Sequence, residues 1–331
     1  MRRRRCSARA RVHGALLLAL ALLAPARTRA QGSLAEDGAL FLLLPVGARA
    51  VGMGQAVVAD RPGSEAVWWN PGALAHADKR ELAIHHSQSV VGTGDALTLV
   101  IPSSLLGVFA ISANILDYGD QPVTDPQQNE VGSIVPQSFV YAATYATTVG
   151  DRFGAGVSYK LVQFRVGCTG ICPADLAFSA TTSALDVGIQ YDLAPFIPVV
   201  IAASARNVGP RLQVKDTEQS DRLPGRVQVG ALYKVGAMER YSRNAELRIT
   251  GDLVDELRVD RPTPRVGADL SWQKRLHLRG GYVFDVGEAA GPSIGVGLAA
   301  GSLNVDIARL FEGLSADAGQ TPTYLSLSYL F

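Results

Sequence analysis

The chain has 331 residues, 47% of them hydrophobic and 18% charged, with 31 Lys and Arg against 30 Asp and Glu. The first 30 residues hold eight of the arginines and no acid, so the remainder carries 23 basic and 30 acidic residues, a net charge of −7. A mildly acidic chain does not attract phosphate backbones, and no run of 18 apolar residues follows residue 30; nucleic-acid binding and a membrane-spanning helix both fall away.

Residues 1–30 read as a secretory signal. Arg2 to Arg5, Arg9 and Arg11 form a basic region, Ala15 to Ala24 an apolar one, and Thr28-Arg29-Ala30 offers small residues for cleavage before Gln31. The apolar pair expected after twin arginines is missing, and Cys6 precedes the apolar run, which argues against a lipoprotein. Cys6 leaves with the signal. In an exported chain Cys168 and Cys172 read as a disulfide pinching a loop, with two thiols or half a metal site as the weaker alternative.

Residues 31–79 hold a linker and an unusual stretch. Gly38 to Pro45 (GALFLLLP) is apolar but short, and periodicity does not separate a turn or two of helix from a strand. Gly47 to Leu74 is rich in Gly and Ala and has no lasting period; Gly52 and Gly54 permit turns that other residues resist. Such a segment cannot build its own core, so another part of the chain must enclose it. Its pattern, Gly47-Ala48-Arg49-Ala50 then Gly52-Met53-Gly54, with Trp68, Trp69, Asn70 and Pro71 near the end, resembles the N-terminal hatch of PorV/PorQ and FadL-like outer-membrane proteins. The resemblance implies a hatch lying inside a β-barrel. The usual ending there is N-P-A-G-L; here Asn70-Pro71-Gly72-Ala73-Leu74 exchanges Ala and Gly.

From residue 80 to 331 the chain changes to segments of alternating polarity separated by turn residues. Ala245, Leu247, Ile249 and Leu253 oppose Glu246, Arg248, Thr250 and Asp252. About fourteen strands are predicted: 80–90, 94–101, 106–116, 137–147, 152–164, 182–192, 198–206, 223–234, 243–253, 264–272, 275–284, 292–300, 303–310 and 322–331. A soluble sandwich also alternates, but here connection lengths alternate as well, although the first expected outer loop, Val91–Thr93, is short. Asp117–Pro136, Arg165–Thr181, Asn207–Arg222, Val254–Thr263, Asp285–Gly291 and Phe311–Thr321 are long. Pro102–Leu105, Thr148–Asp151, Gln273-Lys274 and Gly301-Ser302 are short. The final strand places Thr323, Leu325, Leu327, Tyr329 and Phe331 on one face, and the alternating apolar residues ending in Phe331 resemble the assembly signal of outer-membrane barrels. The expected fold class is an all-β transmembrane antiparallel barrel with a hatch inside, in contact with outer-membrane lipid and the barrel-assembly machinery.

The expected lumenal charges are Lys160, Asp186, Glu246, Arg248, Asp252, Asp269, His277, Arg279 and Asp306, tolerated because water or opposite charges satisfy them. His277 beside Asp269 lacks a nucleophile to complete a catalytic group, so no enzyme is expected. His85 and His86 are adjacent on a strand and point to opposite faces, which argues against a shared metal. Gly52-Met53-Gly54 lacks the third glycine and the acid of a dinucleotide loop, and no cofactor is expected. Asp60-Arg61-Pro62-Gly63 reads as a turn. The residues singled out for a pocket are Arg49, Gly52, Met53, Gly54, Trp68, Trp69, Asn70 and Pro71. The FadL resemblance implies passage of hydrophobic small molecules, the PorV resemblance binding of exported proteins at the cell surface, and a purely structural barrel is the remaining reading.

Overall fold

The computed structural model describes residues 38–172, 177–213, 220–236, 244–256, 262–284, 291–311 and 321–331. The signal at 1–30 and the linker's first residues lie outside the described residues, as do parts of several long connections.

Among the described residues, seventeen strands follow the hatch. The first group is β1 (Glu81–Gln88), β2 (Thr93–Ser103), β3 (Gly107–Asp117), β4 (Gln121–Thr124), β5 (Glu130–Val149) and β6 (Phe153–Gly170). Next come β7 (Phe178–Asp192), β8 (Val199–Val208), β9 (Leu212–Gln213), β10 (Ser220–Asp221), β11 (Arg226–Val235) and β12 (Ala245–Glu256). The last are β13 (Thr263–Trp272), β14 (Leu276–Val283), β15 (Gly291–Ala300), β16 (Leu303–Leu310) and β17 (Thr323–Leu330). Fourteen of them close one antiparallel barrel: β3 pairs directly with β5, β8 with β11, and β17 returns to β1 from Glu81↔Leu330 to Gln88↔Thr323. The remaining three belong to long connections. β4 lines up against the start of β5, and β9 with β10 makes a small hairpin.

The alternation works as the residue pattern demands. On β6, Val157, Tyr159 and Leu161 are exposed on the outer face while Ser158 and Lys160 are buried in the lumen. The outer face is an apolar belt that includes Leu97, Ile111, Ile201, Leu253, Ile294 and Ile307. A belt of that extent on a closed barrel suits hydrocarbon and would be costly in water. Aromatic rings gather near both rims: Tyr329 and Phe331 stack at 5.9 Å near one, and Tyr282 and Phe284 lie 4.7 Å apart near the other. Leu325, Leu327, Tyr329 and Phe331 all point outward on the closing strand.

Three segments differ from the sequence expectation. Asp117–Pro136 and Arg165–Thr181 are not plain loops, because β5 and β6 run on past the barrel to Gly132↔Gly170 and form a ribbon beyond the long-loop rim. Polar and apolar residues mix there without clean alternation, since neither face meets lipid or a core, and the pattern that marks barrel strands is lost. Cys168 and Cys172 are joined near the ribbon tip, with Cα atoms 6.5 Å apart, inside the range for a disulfide. In the expected loop Asn207–Arg222, the β9–β10 hairpin folds inward and buries Leu212.

Candidate functional site

The lumen is filled by residues 38–79. They form short turns in sequence: 3-10 at Leu40–Leu43, an α-turn at Ala48–Gly52, 3-10 at Gly63–Glu65, an α-turn at Ala66–Trp69 and 3-10 at Pro71–His76. The ambiguous GALFLLLP stretch is therefore a single 3-10 turn. The chain enters beside the long-loop rim, where Gly38 N donates to Arg222 O at 2.9 Å, and reaches the first strand at Glu81 near the short-turn rim.

Close seating comes from glycines on both partners. Cβ atoms added at Gly156 and Gly188 on the wall would overlap Pro71 O and Asn70 Oδ1, and at Gly267 and Gly281 they would overlap Met53 and Gly54. Gly52 meets Gly295 in the same way. Gly54 also needs its freedom, with φ +60°. Met53 is buried in the same core cluster as the tryptophans. The exchange in Asn70-Pro71-Gly72-Ala73 is explained here: Gly72 lies against the Gly188 carbonyl, where a side chain has no room.

Asn70 ties the hatch together. Its Nδ2 donates to Val58 O at 2.7 Å and to Ile189 O at 3.2 Å, and its Oδ1 accepts from Gly72 N at 2.9 Å, capping the turn that follows. Asn70→Ala is expected to cost about 1–3 kcal/mol, because Val58 O and Gly72 N lose a buried partner. Thermal melting of the purified protein in detergent checks this, and an unchanged midpoint would remove Asn70 from the tie.

A charged ladder crosses from hatch to wall. Asp60 accepts from Arg49 at 2.7 Å and from Arg248 of β12 at 3.0 Å. Arg248 also reaches Asp269 at 2.6 Å; Asp269 takes Arg279 at 3.2 Å and His277 at 3.0 Å, and Arg279 continues to Asp306. Asp252 accepts from Val58 N, and Lys160 pairs with Asp186. The expected lumenal charges are thus mostly inside and paired, whereas Glu246 is more exposed and touches Arg248 only at 3.9 Å.

Asp60 and Glu65 escaped the sequence reading, the first being taken for part of a turn. The signal available was an acid directly after the apolar Val57-Val58-Ala59, which has to be paired if buried. Glu65 caps the Ala48–Gly52 turn, accepting from Arg49 N at 3.2 Å and Ala50 N at 2.9 Å. Burial first, and then Asp306, push its carboxyl up to about 8, against the pull of those two N–H groups and of Arg49. A raised folded value favours the neutral acid, so the stability it contributes is complete below the ordinary glutamate range near 4.5 and is lost as pH rises through about 8. The melting midpoint is expected to fall more steeply between about pH 5 and about pH 8 in the parent protein than in Glu65→Gln. Equal slopes would show that Glu65 does not titrate in this window.

Of the residues singled out for a pocket, the structure brings only the tryptophans to an apolar one. Trp68 and Trp69 form the floor of a socket on the long-loop side, filled by Phe41 and Leu42 and roofed by Leu212 and Leu223. The void left there is about 20 Å³. Trp69 Nε1 donates to Val46 O at 2.9 Å, while Trp68 Nε1 is buried with no partner among the described residues. The Arg206 guanidinium lies 5.0 Å over the Trp69 ring and donates to Trp68 O at 2.7 Å; the Lys160 ammonium sits 5.9 Å from the Trp68 ring. Arg49 is elsewhere, lining a polar cavity of about 280 Å³ on the short-turn side with Glu65, His277 and Asp306. Gly52, Gly54, Asn70 and Pro71 pack against the wall. Phe41 and Arg206 were missed because a lone Phe and a strand Arg carry no local mark of a site 165 residues apart in sequence, as 206 minus 41.

A closed fourteen-stranded barrel with a hatch seated in its lumen is a fold shared with FadL-like barrels. No family model matches the chain, and no curated relative matches it either. Among solved structures it is similar to the toluene transporter TbuX of Ralstonia pickettii, at TM-score 0.55 and 12% identity over 86% of this chain and 98% of the other. It is also similar to the Pseudomonas putida toluene transporter TodX, at TM-score 0.56 and 12% identity over 85% and 96%. A Pseudomonas aeruginosa FadL homologue gives TM-score 0.51 and 12% identity over 87% and 98%. At such identity the likeness is one of fold.

Proposed function

We propose that the chain is a bacterial outer-membrane channel for small hydrophobic molecules, exported by way of the signal at residues 1–30. The observation that carries this reading is the apolar socket over Trp68 and Trp69, placed on the long-loop side of a lumen that the hatch otherwise fills. The long loops face the cell exterior and the short turns the periplasm, as in outer-membrane barrels generally. An apolar solute enters from outside and takes the space of Phe41 and Leu42. Lys160, Arg206 and Arg226 border the void. Lys160 is occupied by Asp186 and Asn207, and Arg206 by Trp68 O and Gln228, so an anion would compete with partners already in place.

The test is uptake of radiolabelled toluene by whole cells expressing the protein in an outer membrane without a comparable channel. Initial uptake above the vector control supports the reading, and uptake equal to that control, with the barrel inserted, would overturn it. The filled lumen and the disulfide-tipped ribbon favour a second reading, docking of exported proteins at the cell surface. A specific exported protein that co-purifies from the native host while toluene uptake stays at the control level would favour that alternative.

A further inference from the structure

The hatch fills the long-loop side of the lumen down to voids of about 20 Å³, yet it leaves a cavity of about 280 Å³ on the short-turn side. One water needs ~15 Å³, so this space takes a solute of several heavy atoms. Its wall is built from the hatch at Arg49, Arg61 and Glu65, from the β13–β14 turn at Lys274, and from β1, β14 and β16 at Glu81, Arg279 and Asp306. The mouth lies at the rim, where Lys274 is exposed and the Arg61 side chain is 37% exposed.

The acids of this wall are already engaged. Both Glu81 oxygens accept from Ser64, from its N at 3.0 Å and its Oγ at 2.8 Å. Glu65 uses both oxygens to cap the Ala48–Gly52 turn, and its raised carboxyl is mostly neutral at neutral pH. Asp306 pairs with Arg279, which also holds Asp269. The capacity that remains belongs to donors. Arg49 gives Nε and Nη2 to Asp60, and Arg61 gives Nε to Gln190 and Nη2 to Asp192; neither Nη1 has a partner among the described residues. The Lys274 ammonium has no partner among them either. Gln273 and Lys274 have φ +53° and +56°, where Asn and Gly are usual, so the turn keeps this cation at a backbone cost.

We propose that this cavity binds a small polyvalent oxyanion, an organic phosphate or a polycarboxylate, held by the Arg49 and Arg61 guanidinium groups and the Lys274 ammonium. Charged donors bind oxyanion oxygens about twice as strongly as neutral donors do, and a neutral or cationic solute would leave these three unused. The site shares no lining residue with the void over Trp68 and Trp69, and it does not depend on the toluene reading.

The experiment is isothermal titration of the purified protein in detergent with citrate and, separately, with glycerol 3-phosphate. Saturable binding of at least one probe is expected, and the tighter one tells carboxylate from phosphate. Lys274→Gln and Arg61→Gln should each weaken that binding about tenfold. Arg152→Gln should leave it unchanged, because Arg152 is a cation of the same rim that lies over Phe196 and outside the cavity. No saturable binding of either probe overturns the proposal, and so does parent-level affinity in Lys274→Gln. An equal loss in Arg152→Gln also overturns it, since that would mean attraction to the general charge of the rim. Arg61→Gln releases Gln190 and Asp192 as well; should it fail to fold, Lys274→Gln, whose side chain has no partner to release, decides alone.

Discussion

Gly188→Val is expected to unseat the hatch while leaving the barrel wall intact. The new side chain points into the lumen where Asn70 Oδ1 and Pro71 Cδ already lie, and Asn70 cannot yield without giving up Val58 O and Ile189 O. Overpacking of this kind costs about 1–3 kcal/mol when neighbours can shift, and here the nearest atoms belong to a tied segment. The control is Gly251→Val. Gly251 faces the lipid side of β12, and a Cβ there meets nothing within 4 Å. Outer-membrane permeability to a large antibiotic such as vancomycin should rise with Gly188→Val and remain at parent level with Gly251→Val. Equal sensitivity of the two variants would mean that the glycines serve the strand and not the hatch.

Asp60→Asn carries the other large effect. Asp60 is 2% exposed and holds Arg49 from the hatch and Arg248 from the wall. Neutralising one member of a buried cluster leaves the remaining charges uncompensated, at about 3–5 kcal/mol. The hatch should then become open to trypsin at Arg49 and Arg61 while the strands stay resistant. Adding Arg248→Gln should recover part of the loss, because the two residues act on each other and their effects are not additive. If the double variant loses the sum of both single losses, Asp60 and Arg248 are not coupled and the ladder is only a set of neighbours.

What the sequence could reveal follows from the range of each interaction. Strand alternation is local: Ser158 and Lys160 inward, Val157 and Tyr159 outward can be read from neighbouring letters, and with the alternation of connection lengths it marks the barrel strands. The hatch was legible as a stretch unable to make its own core and from its resemblance to known hatches, but its seating was not. Its contacts are remote in sequence. Gly54 against Gly281, Asn70 against Gly188 and Asp60 with Arg248 join positions with no shared period. A hint lay in the inward set of each strand, where Gly156, Gly188, Gly267, Gly281 and Gly295 all fall on the lumenal side of the alternation. Small residues at inward positions of a barrel mean that something else occupies that space. The ribbon formed by β5 and β6 stayed hidden for the opposite reason, since outside the membrane neither face is sorted by solvent.

Apolar entry through the socket requires that the hatch shuts the lumen at rest. The most direct measurement is the resting ion conductance of the unaltered protein in planar bilayers. A silent barrel, with steps appearing when Gly188→Val displaces the hatch, is the expected result; a steady open pore in the unaltered protein would contradict it.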